Sequence, residues 1–179
     1  FHLGGVLGPS KMQDGSLKQV SPYILEGQVT NSPTSRRPNT LTVHFRVEFD
    51  QPIEKWVDSN QSPHKIVAFA ESNGKPLHMK VALSYTKPEN AALNMREELP
   101  HWDFDKVVKE TEDVWNEHLG RIEVEGNTET QQRRFYTDLW KSLQGRRTIS
   151  DVNGAYPDNT GSTFKIGQLP VDDQGKPLY

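Results

Sequence analysis

The sequence predicts an α+β chain, an antiparallel β half followed by a helical half, and three observations carry the prediction. Up to about residue 86 the apolar residues recur with period two, and beyond it they recur with the period of helices. Hydrophobic residues make up only 33% of the 179 and mean hydropathy is -0.77, so a large private core is not expected and some apolar surface should find cover elsewhere.

The β half is read element by element. "YILEGQV" is a strand expected to be interrupted at Gly27. "LTVHFRVEF" alternates throughout, with Leu41, Val43, Phe45, Val47 and Phe49 on one face and Thr42, His44, Arg46 and Glu48 on the other, the pattern of a sheet with one wet face. "KIVAFA" is a short continuous apolar run, and "HMKVALSY" alternates through Met79, Val81, Leu83 and Tyr85. Four strands are therefore expected. The segments "TNSPTSRRPNT" and "VDSNQSPH" separate them, and Asn73-Gly74 supplies the positive φ angles of a tight hairpin.

In the helical half, Pro88 opens a short helix carrying Ala91, Ala92, Met95 and Leu99, stopped by Pro100. Asp103 caps a second helix whose stripe runs through Phe104, Val107, Val108, Thr111, Val114, Trp115 and Leu119 to Gly120. "RIEVEG" is expected to be a short strand. Thr128 and Gln131 form a capping box for a third helix, in which Phe135, Leu139 and Leu143 make one apolar row and Tyr136 and Trp140 an adjacent one, up to Gly145. Two rows imply burial on two sides. Phe1 at one end and Leu178 and Tyr179 at the other are apolar, and both ends are expected to continue into further structure.

Composition excludes several functions. Lys and Arg (21) nearly balance Asp and Glu (24), and the tight basic pairs Arg36/Arg37, Arg133/Arg134 and Arg146/Arg147 make no basic face for nucleic acid. No apolar run approaches the roughly 20 residues of a membrane span. The absence of cysteine removes disulfides and thiolate metal sites. The six histidines lack metal-ligand spacing and read as solvated; "FHLGG" lacks the lysine and hydroxyl of a phosphate loop. The acid pairs Glu97/Glu98 and Asp172/Asp173 read as solvated faces, Trp115 and Trp140 as core, and Trp56 and Trp102 as the freer indoles.

After the third helix, Arg146, Arg147, Ser150, Asp151, Asn153 and Tyr156 arrive in one short stretch of donors and acceptors able to satisfy sugar hydroxyls. From spacing alone "DVNG" reads first as a turn.

Larger motifs add to this. "KVALSYTKPENAALNMREELPHWDFDKVVKETEDVWNEHLGRIEVEG" and "QRRFYTDLWKSLQGRRTISDVNGAY" resemble the α-mannosidases of glycoside hydrolase family ninety-two. Ala91, Asn94 and Glu98 match an Ala-x-x-Asn-x-x-x-Glu helix after a Ser-Tyr strand. Trp102, Phe104 and Asp105 match a Trp-x-Phe-acid start, and Trp115, Leu119, Ile122 and Val124 the run that follows. Phe135, Tyr136, Thr137, Leu139 and Trp140 match a helix motif, and Ser150, Asp151, Gly154 and Tyr156 a Ser-Asp-x-x-Gly-x-Tyr loop. "GPSKMQDGS" and the stretch from Glu26 to Ile53 also fit the family's β domain.

The resemblance implies an antiparallel β-sandwich (1–86), linker helices and strand (87–126), and the first helix and loop of an (α/α)6 catalytic barrel (127–179). It implies a calcium-dependent inverting exo-α-mannosidase, α-1,2 in preference, acting on mannose-containing oligosaccharides of N-glycans or mannans in a secreted, periplasmic or cell-surface setting. The catalytic acid and base, and most calcium ligands, are expected after Tyr179, and the remainder of the barrel is the implied partner, needed to cover the second row of the third helix. Asp151, Asn153 and Tyr156 are the expected substrate-binding residues. A non-catalytic sugar-binding β-sandwich and a disaccharide phosphorylase of the same architecture are the competing readings.

Overall fold

In the computed structural model, residues 1–179 are described other than 2, 4, 8, 9, 36, 59–64, 72, 127, 145–147, 162 and 179. The expected helix stop at Gly145, the pair Arg146/Arg147, Arg36, His2, Gly4, Gly8 and most of the "VDSNQSPH" loop lie outside the described residues. The elements run β1 (Gly5–Leu7), β2 (Ser10–Ser21), β3 (Ile24–Asn31), β4 (Leu41–Phe49), β5 (Ile53–Asp58), β6 (Lys65–Phe69), β7 (Met79–Ser84), α1 (Pro88–Glu98), α2 (Phe104–Leu119), α3 (Glu129–Leu143), β8 (Ala155–Asp158) and β9 (Lys165–Gln168). The chain is α+β and every strand pairing is antiparallel, as the sequence predicts. It divides into two compact units, residues 1–100 with 149–179, and residues 101–148.

The first unit is built on a five-stranded sheet in the order β1-β2-β3-β4-β7, with β5-β6 as a second, two-stranded layer. Leu25, Val47, Phe49 and Ile53 form the buried core between the layers, joined by Leu17, Phe45, Trp56, Val67 and Phe69. The Phe49 and Phe69 rings meet at 4.8 Å across it. Leu25 and Val47 are almost wholly enclosed, and burial of side chains of this size contributes about 1.5–3 kcal/mol each. Trp56 therefore belongs to the core and is not a free indole.

Among the described residues, the four expected strands become seven before residue 86. The twelve residues of β2, "SKMQDGSLKQVS", are too polar to show a period, and the strand is held instead by backbone ladders to β1 and β3 on both sides. Nor does Gly27 interrupt β3, which runs unbroken with Gly27 opposite Phe45. Asn73 (φ 49) and Gly74 (φ 83) do take the positive φ angles expected of them, but they join no hairpin: β6 and β7 belong to different sheets.

The faces of the sheet also differ from expectation. In β7 it is Lys80, Ala82 and Ser84 that are buried, while Met79, Val81 and Leu83 are about half exposed. The reason is α1, which lies over the face expected to be wet and buries Asn90, Ala91, Asn94 and Met95 against it. Polar residues tolerate that cover because they pair among themselves: Arg46 reaches Glu26 at 2.7 Å and Glu48 at 2.8 Å, and Lys80 Nζ donates to Leu99 O at the end of α1. Burial pushes the Lys80 ammonium below its usual pKa, with Glu48 opposing.

In the second unit both predicted caps form. Asp103 accepts from Lys106 N, and Thr128 and Gln131 exchange the two bonds of a capping box. Trp115 and Trp140 are 6.1 Å apart, joining α2 to α3. No residue of either helix is buried: the first row of α3, Phe135, Leu139 and Leu143, is only partly covered, Trp140 of the row expected to need further structure for its cover is exposed, and so are Phe104, Val108 and Val114. "RIEVEG" is not a strand. No described strand pairs with it, and the Tyr136 hydroxyl takes the Ile122 carbonyl at 3.0 Å instead.

Candidate functional site

Two asparagines one turn apart, Asn90 and Asn94, share the face of α1 that carries Ala91 and Met95. A buried carboxamide requires partners, and here the partners come from sequence sixty residues away. After residue 148 the chain returns to the first unit and inserts Asp151, 2% exposed, between α1 and the end of β7.

Four side chains donate to that carboxylate. Asn94 Nδ2 reaches one oxygen at 2.8 Å; Asn90 Nδ2 (2.9 Å), Ser84 Oγ (3.0 Å) and Thr86 Oγ1 converge on the other. Each donor is itself held. Asn94 Oδ1 accepts from Val152 N at 3.0 Å and its amide also donates to Leu83 O at 2.9 Å; Asn90 Oδ1 accepts from Asn153 Nδ2 at 3.1 Å. Ser84 Oγ accepts from the backbone N–H groups of Thr86 and Lys87. The buried carboxylate is satisfied by hydrogen bonds from four described side chains.

The "DVNG" stretch is at once the predicted turn and a bracket. Gly154 N donates to Asp151 O at 2.7 Å, and Gly154 sits at φ +82, a conformation that glycine adopts freely. Asn153 Oδ1 accepts from Ala155 N, which directs the chain into β8. There Tyr156 stands opposite Gly167 of β9, with its ring so close that a Cβ on Gly167 would lie 2.3 Å from it. The structure thus places Asp151 and Asn153 in one network with α1, and Tyr156 half-buried on the β8-β9 hairpin. Ser84, Thr86 and Asn90 were not singled out by the sequence; the available signal was a pair of amides on the apolar side of a helix.

Thr86 also borders a concave recess of about 280 Å³ lined by Gln28, Thr40, Thr42, His44, Tyr85 and Phe164. His44, expected to be solvated, is half-buried there, and burial pushes its imidazole below the usual 6.5, with Glu89 and Asp151 opposing. A depressed folded-state pKa means that the unfolded chain binds the proton more readily. The stability due to neutral His44 is present above pH 6.5 and is lost as pH falls through the lowered folded value. Between pH 7.5 and 5 the Tm of the native chain is expected to fall more than that of His44→Gln. Parallel curves would count against it. Among the described residues no three His, Asp or Glu side chains gather to hold a metal ion.

Residues 90–169 match the model of the glycosyl hydrolase family 92 catalytic domain. That segment is similar to the catalytic domain of glycosyl hydrolase family 92. It contains Asn90, Asn94, Asp151 and Asn153, so most of the buried network lies within the family 92 match, and Ser84 and Thr86 are supplied from just before it. A curated relative, an uncharacterized secreted glycosidase of Arthroderma benhamiae, is 34% identical over 79 residues, covering 41% of this chain and 10% of that protein. Among solved structures, a family 92 inverting mannosidase of Bacteroides thetaiotaomicron superposes with TM-score 0.70 at 24% identity, over 89% of this chain and 24% of that one. A family 92 α-mannosidase of the same organism, also solved with mannoimidazole, gives TM-score 0.72 at 16% identity, over 90% of this chain and 23% of that one. The chain thus has the fold of part of these enzymes and spans about a quarter of their length.

Proposed function

We propose that this chain is part of an inverting exo-α-mannosidase acting on mannose-containing glycans, with α-1,2 links preferred, and that it supplies scaffold and loop positioning rather than the reacting carboxylates. The observation that carries the reading is the Asn94–Asp151 hydrogen bond, which joins the helix motif to the loop motif inside the family 92 segment. The solved enzymes that share the fold are mannosidases, and the curated relative is described as secreted, which supports an extracytoplasmic setting.

In an inverting glycosidase one carboxylic acid protonates the leaving oxygen and a second carboxylate activates water, about 6.5–9.5 Å apart. Asp151 does not suit either role, because its oxygens are already taken by four donors and it is closed to solvent. Its part is to position: it locks the loop from Val152 to Tyr156 against α1, so that Asn153 and Tyr156 hold fixed places where a sugar could meet them. We place the acid and base after Tyr179. Calcium is what the resemblance implies for the whole enzyme, and no step is routed through it here.

The test is mannose release from α-1,2-mannobiose by the 179-residue chain and by a longer polypeptide that extends it, with and without a calcium chelator. Activity confined to the longer protein and abolished by chelation is the expected result. Release by the 179 residues alone would place the acid and base within them and refute the assignment.

A further inference from the structure

The sheet face covered by α1 is not covered to its end. Gln28 and His44, opposite one another in β3 and β4, lie beyond the helix with Thr42, and the recess they floor is walled by Thr40, Tyr85, Thr86 and Phe164. Its chemistry is distinctive: three threonine hydroxyls, one carboxamide, one imidazole, one phenol and a phenyl ring, with no Lys, Arg, Asp or Glu in the lining. Of these, Gln28, Thr40, His44 and Tyr85 make no side-chain hydrogen bond to other described residues, whereas Thr42 is tied to Thr30 and Thr86 to the Asp151 network.

We propose that this recess is a second, non-catalytic binding site, and that its ligand is a single neutral sugar ring. An uncharged lining gives no binding advantage to a phosphate, a carboxylate or an amine, because nothing in it repays the loss of their hydration. Uncommitted amide, hydroxyl and imidazole groups can donate to and accept from the adjacent hydroxyls of a sugar, and Phe164 offers an apolar surface to its C–H side. The volume is close to the lower end of small-ligand pockets, about 300 Å³, which fits one ring and not a buried chain. The floor is also preorganised. Gln28 and His44 stand on neighbouring paired strands, and Thr86 is held rigid by Asp151 and Asn90. The site does not depend on the mannosidase reading, since it binds and does not cleave, and it would survive the loss of that reading as a carbohydrate-binding surface.

The experiment is a titration of the 179-residue chain with methyl α-D-mannoside, followed by NMR shifts of the Gln28 side-chain amide, His44 and the Phe164 ring, with myo-inositol and inorganic phosphate as comparison probes. Saturable shifts confined to these residues are expected, with Kd on the order of 1–10 mM. Phe164→Ala should weaken binding about tenfold or more while the backbone spectrum of β3 and β4 is retained. Gln28→Glu, which adds a charge at near-constant shape, should do the same and serves if Phe164→Ala does not fold. No saturable shift at these residues up to about 100 mM sugar, or equal binding by both variants, overturns the proposal. So does tighter binding of phosphate, which would make the recess an anion site.

Discussion

Asp151→Ala is expected to lower the stability of the unit formed by residues 1–100 and 149–179 by on the order of 3 kcal/mol or more. The carboxylate is 2% exposed and is the common acceptor for Asn90, Asn94, Ser84 and Thr86. Truncation leaves two carboxamide donors and two hydroxyls facing a void, and each buried donor without a partner costs about 1–3 kcal/mol before relaxation. Asp151→Asn keeps the shape but turns one acceptor into a donor opposite groups that already donate, so it should recover only part of the loss. Asn94→Ala removes the amide that also holds Val152 N and Leu83 O, and together with Asp151→Ala it should cost much less than the sum of the single changes, because both break the same network. The measurement is amide hydrogen exchange in β4, β7 and α1, which reports this unit separately from residues 101–148. Protection in Asp151→Ala within about 0.5 kcal/mol of native would show that the network is not structural.

Gly27→Ala should destabilise the same sheet by about 1–3 kcal/mol through overpacking. A Cβ built there lies 2.4 Å from Phe45 Cζ and 2.4 Å from Ser16 O. The phenyl ring could swing aside, at the cost of its packing on the core; the Ser16 carbonyl belongs to β2 and moves only if the β2-β3 ladder spreads. Adding Phe45→Ala to Gly27→Ala should therefore bring no full recovery. Gly27 has no positive φ, so backbone strain is not the cause. A useful contrast is Gly74→Ala, where φ is +83 and the space is open, so that any cost there is conformational, about 1 kcal/mol. Chemical denaturation read at Trp56 fluorescence in variants whose other three tryptophans are replaced by Phe would rank the two. Gly27→Ala equal to the parent background would show that the strands part freely.

The segment after α3 shows how function and frame meet. It reads as a turn by its residues and as part of a family motif by resemblance, and it proves to be a turn whose first side chain ties it to a helix read as a separate element. Asp151 and Asn153, which join the network, lie in a polar stretch that spacing alone reads as a turn and that the loop resemblance singled out. Of their partners, Asn94 stood in the helix motif, whereas Asn90, Ser84 and Thr86 were not singled out, because a buried amide or hydroxyl looks the same in sequence as an exposed one.

What the sequence by itself determined here is local. Period two built β4, Pro88 and Asp103 opened their helices, the Thr128–Gln131 box formed, and Asn73-Gly74 turned the chain, since each depends on residues within a few positions of one another. Tertiary structure decided what depends on distant chain. It determined that β2 is a strand, because its neighbours supply hydrogen bonds that its side chains do not advertise, and that β7 buries Lys80, Ala82 and Ser84, because α1 covers that side. It also set Asp151 among donors 57 to 67 residues away, since a charge can be buried only where the fold assembles enough hydrogen bonds to replace water.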